Sequence, residues 1–75
     1  MGDYKFSLRQ ARSYKGLSQK DVARELHKTP QTIVNWEKGL TPINISEFQM
    51  LSRLYEIPEE DIFLPEISRK TLASG

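Results

Sequence analysis

The stretch that decides the fold of this chain runs from Leu17 to Gly39 and reads LSQKDVARELHKTPQTIVNWEKG. Ser18 and Asp21 have the spacing of a capping box, in which each side chain accepts a hydrogen bond from the backbone N–H of the other residue. Apolar residues follow at helical spacing. The pattern therefore predicts a helix that begins at Ser18 and ends near His27.

A second helix is predicted from the pair Thr29-Pro30. Threonine is a good N-cap, and a proline in the first helical position loses no hydrogen bond, because its missing N–H would have no partner there. Gly39 is placed to end this helix. Because only His27 and Lys28 separate Thr29 from the preceding helix, the two helices cannot lie antiparallel. They must cross steeply, as in a helix-turn-helix unit.

Three more helices are predicted around this unit, which gives a compact all-α bundle of five short helices. The first runs from Tyr4 to Lys15, with Asp3 as its cap. The fourth begins at the cap Asn44, and a short fifth begins at Ile57-Pro58. We expect the domain to cover residues 1–65 and a polar tail to cover residues 66–75. The expected core includes Ile33, Trp36, Leu40, Phe48, Leu51, Leu54, Tyr55, Ile62 and Phe63.

Composition excludes several kinds of site. The 75 residues include no cysteine and one histidine, which excludes disulfides, cysteine-ligated zinc and multi-histidine metal sites. No apolar run approaches the ~20 residues of a membrane helix and no signal core is present, so a cytoplasmic protein is expected. The clustered acids Glu59, Glu60 and Asp61 lie in a predicted first helical turn without a pocket-forming partner. We therefore expect no enzyme, no cofactor and no metal.

The charges divide unevenly along the chain. Residues 1–40 contain eight Lys and Arg against four Asp and Glu, whereas residues 41–75 contain three against six. Unless the charges are scattered by chance, this division favours an anionic partner on one side of the domain.

The joint spacing of these residues resembles the helix-turn-helix domains of the XRE, or Cro/C1, family, which includes the lambdoid phage repressors. The matching positions are Leu8, Arg12, Gly16, Leu17, Ser18, Gln19, Val22, Ala23, Leu26, Ile33, Glu37 and Gly39. The resemblance covers about residues 4–64 and implies a lambda-repressor-like fold. His27 and Glu56 stand where the family usually has glycine. The loop over residues 40–44 lacks the Lys or Arg that holds phosphate in phage repressors.

A recognition helix in the major groove presents its first turns to base edges. In this chain those turns carry Thr29, Pro30, Gln31, Thr32 and Asn35. The amides of Gln31 and Asn35 are of the type that pairs with adenine. Taken without the resemblance, the same residues would be an ordinary polar surface.

Contacts to the DNA backbone are expected from Gln19, Lys28 and Lys38. The resemblance implies this role for Gln19, and the N–H groups at the start of its helix attract phosphate. The lysines would add affinity without sequence information, although each could also be a solvated surface residue. The resemblance further implies an ion pair between Arg12 and Glu37 that fixes the angle of the recognition helix.

The resemblance implies sequence-specific binding of double-stranded DNA by a regulator of transcription, namely a prophage-type repressor. Recognition helices of this kind usually bind inverted half-sites as dimers. A weak homodimer would here use Ile57, Phe63, Leu64 and Ile67. An antitoxin, a protein–protein interaction module and a non-specific nucleic-acid binder remain alternatives on the same fold.

Overall fold

The computed structural model describes residues 5–64, and four α-helices form the body of that range. They are α1 (Leu8–Tyr14), α2 (Gln19–Leu26), α3 (Pro30–Lys38) and α4 (Ile45–Tyr55). One 3-10 turn, Glu59–Asp61, follows α4, and two short strands, β1 (Phe6–Ser7) and β2 (Ile62–Phe63), pair in parallel. The all-α body is confirmed, but the prediction of five helices is wrong.

The predicted ends of α2 are confirmed. The Ser18 hydroxyl accepts a hydrogen bond from the backbone N–H of Asp21 at 3.0 Å, and the Asp21 carboxylate accepts one from Ser18 at 2.9 Å. These bonds from Ser18 hold the pKa of Asp21 below its ordinary value. At the other end His27 has φ +58° and ψ +43°, the left-handed conformation that releases the chain toward α3.

The predicted ends of α3 are confirmed as well. The Thr29 hydroxyl accepts a hydrogen bond from the N–H of Thr32, and Pro30 occupies the first turn. Gly39 ends the helix with φ +73°, a conformation that glycine adopts without the Cβ clash of other residues. The chain then turns away, so that Leu40 is 61% exposed and Ile43 lies in the core. The expectation that Leu40 is buried was wrong, because the turn at Gly39 ends the helical spacing.

The helices share one apolar core. Its buried members on α1, α2 and α3 include Leu8, Ala11, Val22, Ala23, Leu26, Ile33 and Trp36, and those from the rest of the chain include Ile43, Phe48, Leu51, Tyr55, Ile57, Ile62 and Leu64. Leu17 and Leu54 pack against this core from partly buried positions. Because α2 and α3 both bury one face here, their polar faces are left at the surface.

The start of α1 differs from the prediction of a helix over Tyr4–Lys15. The helix begins at Leu8, because Ser7 forms a capping box with Gln10. Ahead of that cap the chain is extended, with Phe6 paired to Ile62 and Ser7 paired to Phe63. The proposed cap Asp3 lies outside the described residues.

The predicted fifth helix is also wrong. The chain makes one 3-10 turn and then extends as β2. Ile62 and Leu64 point into the core, whereas Phe63 between them is 51% exposed. The expectation of a buried Phe63 was therefore wrong, since neighbouring residues of an extended segment face opposite sides.

This burial also affects the residues expected to form a dimer. Ile57 and Leu64 are 5% and 3% exposed within their own domain, so they are not surface residues. Phe63 is accessible, and Ile67, like the rest of the predicted tail over residues 66–75, lies outside the described residues.

The left-handed conformation of His27 generates a stability prediction. We expect His27→Gly to be more stable than His27→Ala by about 1 kcal/mol, because both remove the imidazole but only alanine keeps the Cβ that clashes in this conformation. Urea unfolding of the two variants measures the difference in the free energy of unfolding. Equal stabilities would contradict the expectation.

Candidate functional site

The Arg12–Glu37 pair joins α1 to the end of α3. Arg12 Nε lies 2.6 Å from Glu37 Oε2, and Arg12 Nη2 donates to Glu37 Oε1 at 3.3 Å. Arg12 Nη1 also donates to the carbonyl oxygen of Leu17 at 2.9 Å. The two side chains are only 13% and 6% exposed, and the hydrogen bond to Glu37 raises the pKa of Arg12. One guanidinium thus fixes α1, the α1–α2 turn and α3 relative to one another.

Gln19 at the start of α2 joins the same carboxylate. Its Nε2 donates to Glu37 Oε1 at 3.1 Å, so Glu37 binds both α1 and α2. A glutamine amide has two N–H groups and an acceptor oxygen. Gln19 therefore keeps one N–H and its oxygen for a ligand while Glu37 holds the amide in place.

A concave surface lies beside this network. Its volume is about 470 Å³, and its lining residues are Arg9, Arg12, Ser18, Gln19, Val34, Glu37 and Lys38. Three of these side chains are cationic and one is anionic, which favours an anionic ligand. Arg9 was missed at the level of the sequence. Its spacing of three residues from Arg12 places the two on neighbouring positions of α1, which is the signal that could have found it.

The first turns of α3 present a connected polar group. The hydroxyl oxygens of Thr29 and Thr32 lie 3.1 Å apart, and Gln31 Nε2 donates to Asn35 Oδ1 at 3.0 Å. Thr29, Pro30 and Gln31 are exposed, whereas Thr32 and Asn35 are partly buried. The structure thus brings all five expected base-contacting residues to the start of one helix, with the amides already ordered.

The two expected phosphate-binding lysines differ in their surroundings. Lys28 Nζ lies 2.8 Å from Glu47 Oε2, an ion pair that joins the α2–α3 turn to the first turn of α4. Lys38 is exposed, lines the concave surface and has no ion pair with any residue of the range 5–64. Lys38 is therefore the more accessible cation, while the charge of Lys28 is already compensated.

Two searches for other kinds of site concern residues 5–64 alone. In that range no group of three or more His, Cys, Asp or Glu side chains is arranged to hold a metal ion. None of the helices in the same range combines the length and apolar character required to span a membrane.

Comparison with known proteins gives one match. A family model described as helix-turn-helix matches residues 8–62. This range contains all four helices and the residues that line the concave surface. Searches of curated proteins and of solved structures found no significant match.

The Arg12–Glu37 contact generates a prediction for stability. We expect Glu37→Gln to lower the free energy of unfolding by about 3 kcal/mol, because it leaves a mostly buried guanidinium without its anion. Replacing both residues by methionine removes both charges, so this double variant should lose less stability than the sum of the two single replacements. Urea unfolding of the four proteins measures the coupling. Additive losses would show that the pair is not coupled.

Tyr55 generates a prediction for alkaline pH. Burial raises its pKa above the ordinary value, with a smaller contribution from the nearby Glu37 charge. The folded state therefore favours the neutral phenol. Its contribution to stability is complete below the ordinary tyrosine pKa of about 10 and is lost as the pH rises above it. We expect the melting temperature of the wild type to fall more steeply than that of Tyr55→Phe between pH 9 and about 11. Parallel curves would contradict this.

Proposed function

This chain belongs to the helix-turn-helix family of the XRE, or Cro/C1, type, and from this membership we propose that it is a sequence-specific regulator of transcription. The family consists of DNA-binding regulatory domains. In our proposal α3 is the recognition helix, and it enters the major groove of double-stranded DNA with its N-terminal turns first.

The observation that carries this proposal is the two-sided character of α3. Ile33 and Trp36 are 1% and 3% exposed, so one face of the helix is fixed in the core. The other side presents the first-turn residues Thr29, Pro30 and Gln31 to solvent. A rigid helix with a polar, exposed N-terminal end has the shape and chemistry that readout of base edges requires.

The amide pair on α3 supports readout of adenine. Gln31 uses one N–H to bind Asn35 and keeps its other N–H and its oxygen. Adenine offers the N7 acceptor and the N6 donor in the major groove, so the remaining groups of Gln31 match it. Asn35 orders the Gln31 side chain before DNA arrives, which lowers the entropy lost on binding.

Backbone contacts in this proposal come mainly from Gln19 and Lys38. The second N–H of Gln19 is available beside the start of α2, and Lys38 lies at the end of α3. Lys28 binds a phosphate only if it leaves Glu47, so its contribution to affinity is smaller. Such contacts position the protein on the duplex and leave the choice of sequence to α3.

The finer role that we propose is repression, with a weak homodimer on an inverted repeat, as in phage repressors. A two-fold arrangement would place two copies of α3 in successive major grooves, about one helical turn apart. Phe63 is the accessible apolar residue of the set expected at the dimer interface. Assembly on DNA rather than in solution is consistent with so small a surface.

A protein-binding role is the second candidate, and one observation favours it. A groove of about 230 Å³ between α2 and α4 is lined by Glu25, Leu26, Met50, Arg53 and Leu54. Apolar grooves with polar rims often bind a partner segment. An antitoxin would combine this groove with DNA binding, whereas a pure interaction module would bind no DNA.

A binding selection from random duplex DNA tests the proposed function. The duplexes span about three helical turns, so that they can hold two half-sites. We expect enrichment of an inverted repeat. Enrichment of a single half-site would remove the dimer from the proposal but keep sequence-specific binding. No enrichment at low salt would contradict DNA regulation and favour the protein-binding module.

Substitution of Gln31 tests the placement of α3 in the groove. We expect Gln31→Ala to weaken binding to the enriched duplex by about 1–3 kcal/mol and to relax base preference at one position. Gln49→Ala is the matched control, because Gln49 is an exposed glutamine on α4, outside the helix-turn-helix unit. Titrations against duplexes with each base at every position measure both effects. If Gln31→Ala behaves like Gln49→Ala, α3 does not read the bases.

A further inference from the structure

Arg9 carries no role in the site described so far, although it lines the concave surface next to the Arg12–Glu37 pair. Arg12 and Glu37 compensate each other's charge, so the concave surface has an excess of two positive charges, from Arg9 and Lys38. Neither of these two side chains has an acidic partner anywhere in residues 5–64. Two uncompensated cations that face one depression attract a single anionic group.

The position of this surface relative to α3 identifies the kind of anion. Lys38 lies seven residues after Gln31 on the same helix, which corresponds to roughly 10 Å along the helix axis. The major groove is about 12 Å wide, so a helix whose first turn reaches base edges has its far end near the sugar–phosphate wall. An anion at the concave surface would thus occupy the place of a backbone phosphate.

The polar lining supports the same assignment. Gln19 lines the surface and retains one N–H after binding Glu37, and Val34 supplies an apolar contact. A phosphate oxygen accepts hydrogen bonds from amide, ammonium and guanidinium donors alike. Arg9 and Lys38 are both exposed, which suits a phosphate that arrives on a long polymer rather than a small anion enclosed by protein.

We propose that Arg9 and Lys38, together with Gln19, bind one backbone phosphate of each DNA half-site in this concave surface. The proposal rests on the proposed function and adds Arg9 as a binding residue. In this arrangement α1 and α3 contact the same phosphate from two sides. The contact contributes affinity, makes it dependent on salt, and carries no preference for sequence.

The test uses the full chain and the duplex enriched in the selection, prepared with a neutral methylphosphonate at one phosphate position at a time. At one position in each half-site we expect the substitution to weaken the wild type by about tenfold, as the loss of one phosphate contact and its counterion release implies. The double variant Arg9→Gln/Lys38→Gln should lose less than about twofold at that position, because it has already lost the contact.

Arg53→Gln is the matched control for Arg9→Gln. Arg53 is an exposed arginine on α4 that lines the other groove, so its loss changes the net charge equally without touching the concave surface. We expect Arg53→Gln to keep the wild-type response to every methylphosphonate. We also expect the salt slope of log K for the double variant to be shallower than that of the wild type by about 0.9.

Three results would overturn the proposal, and they are distinguishable. If wild type, double variant and control respond alike at every phosphate while the wild type still selects its sequence, the phosphate contact is wrong and the proposed function stands. If the wild type binds no DNA, both fail. If inorganic phosphate saturates the resonances of Arg9 and Lys38 at low millimolar concentration, with no methylphosphonate coupling, the surface holds a free anion instead.

Discussion

The ion pair between Arg12 and Glu37 is the interaction on which the arrangement of the helices depends. Glu37 lies at the end of α3, and its carboxylate binds Arg12 of α1 and Gln19 of α2. A pair with so little exposure must be hydrogen-bonded throughout to offset the loss of hydration, and the third guanidinium contact, to the carbonyl of Leu17, meets that requirement. The same three residues fix the angle of α3 and form the wall of the concave surface.

Two left-handed residues set how the remaining elements join this centre. His27 ends α2 and Glu56 ends α4, each with φ near +57°. An ion pair lies beside each turn, since Lys28 binds Glu47 on α4 and Lys15 binds Glu56 across the domain. These exposed or half-exposed pairs add little stability individually. They fix the charge of Lys28 and leave Arg9 and Lys38 as the cations on the α1–α3 side.

The parts of the fold that depend on local chemistry could be predicted from the sequence. The caps Ser18, Thr29 and Asn44 each act within three residues, so their spacing is visible in the chain. The start of α1 could not be predicted, because Phe6 is drawn into a strand by pairing with Ile62. That partner lies 56 residues away in the sequence. The alternating burial of Ile62, Phe63 and Leu64 was invisible as well, since all three are apolar.

The candidate site was predictable to a similar extent. The first-turn residues of α3 and the partners Arg12 and Glu37 follow from spacing and resemblance, and the structure places them as described. The division between Lys28 and Lys38 could not be foreseen, because it depends on whether an acid from another helix lies within reach. Arg9 was missed for a related reason: its significance comes from the concave surface that α1 forms with α3 and the start of α2, which no local pattern records.

The most direct test of DNA binding through α3 is a map of backbone amide chemical shifts of the isotope-labelled protein as the enriched duplex is added. The largest changes are predicted at Thr29–Thr32, at Gln19 and around Arg9, with α4 unaffected at Met50 and Leu54. Changes centred on the groove between α2 and α4, with the first turn of α3 unmoved, would contradict the proposed interface.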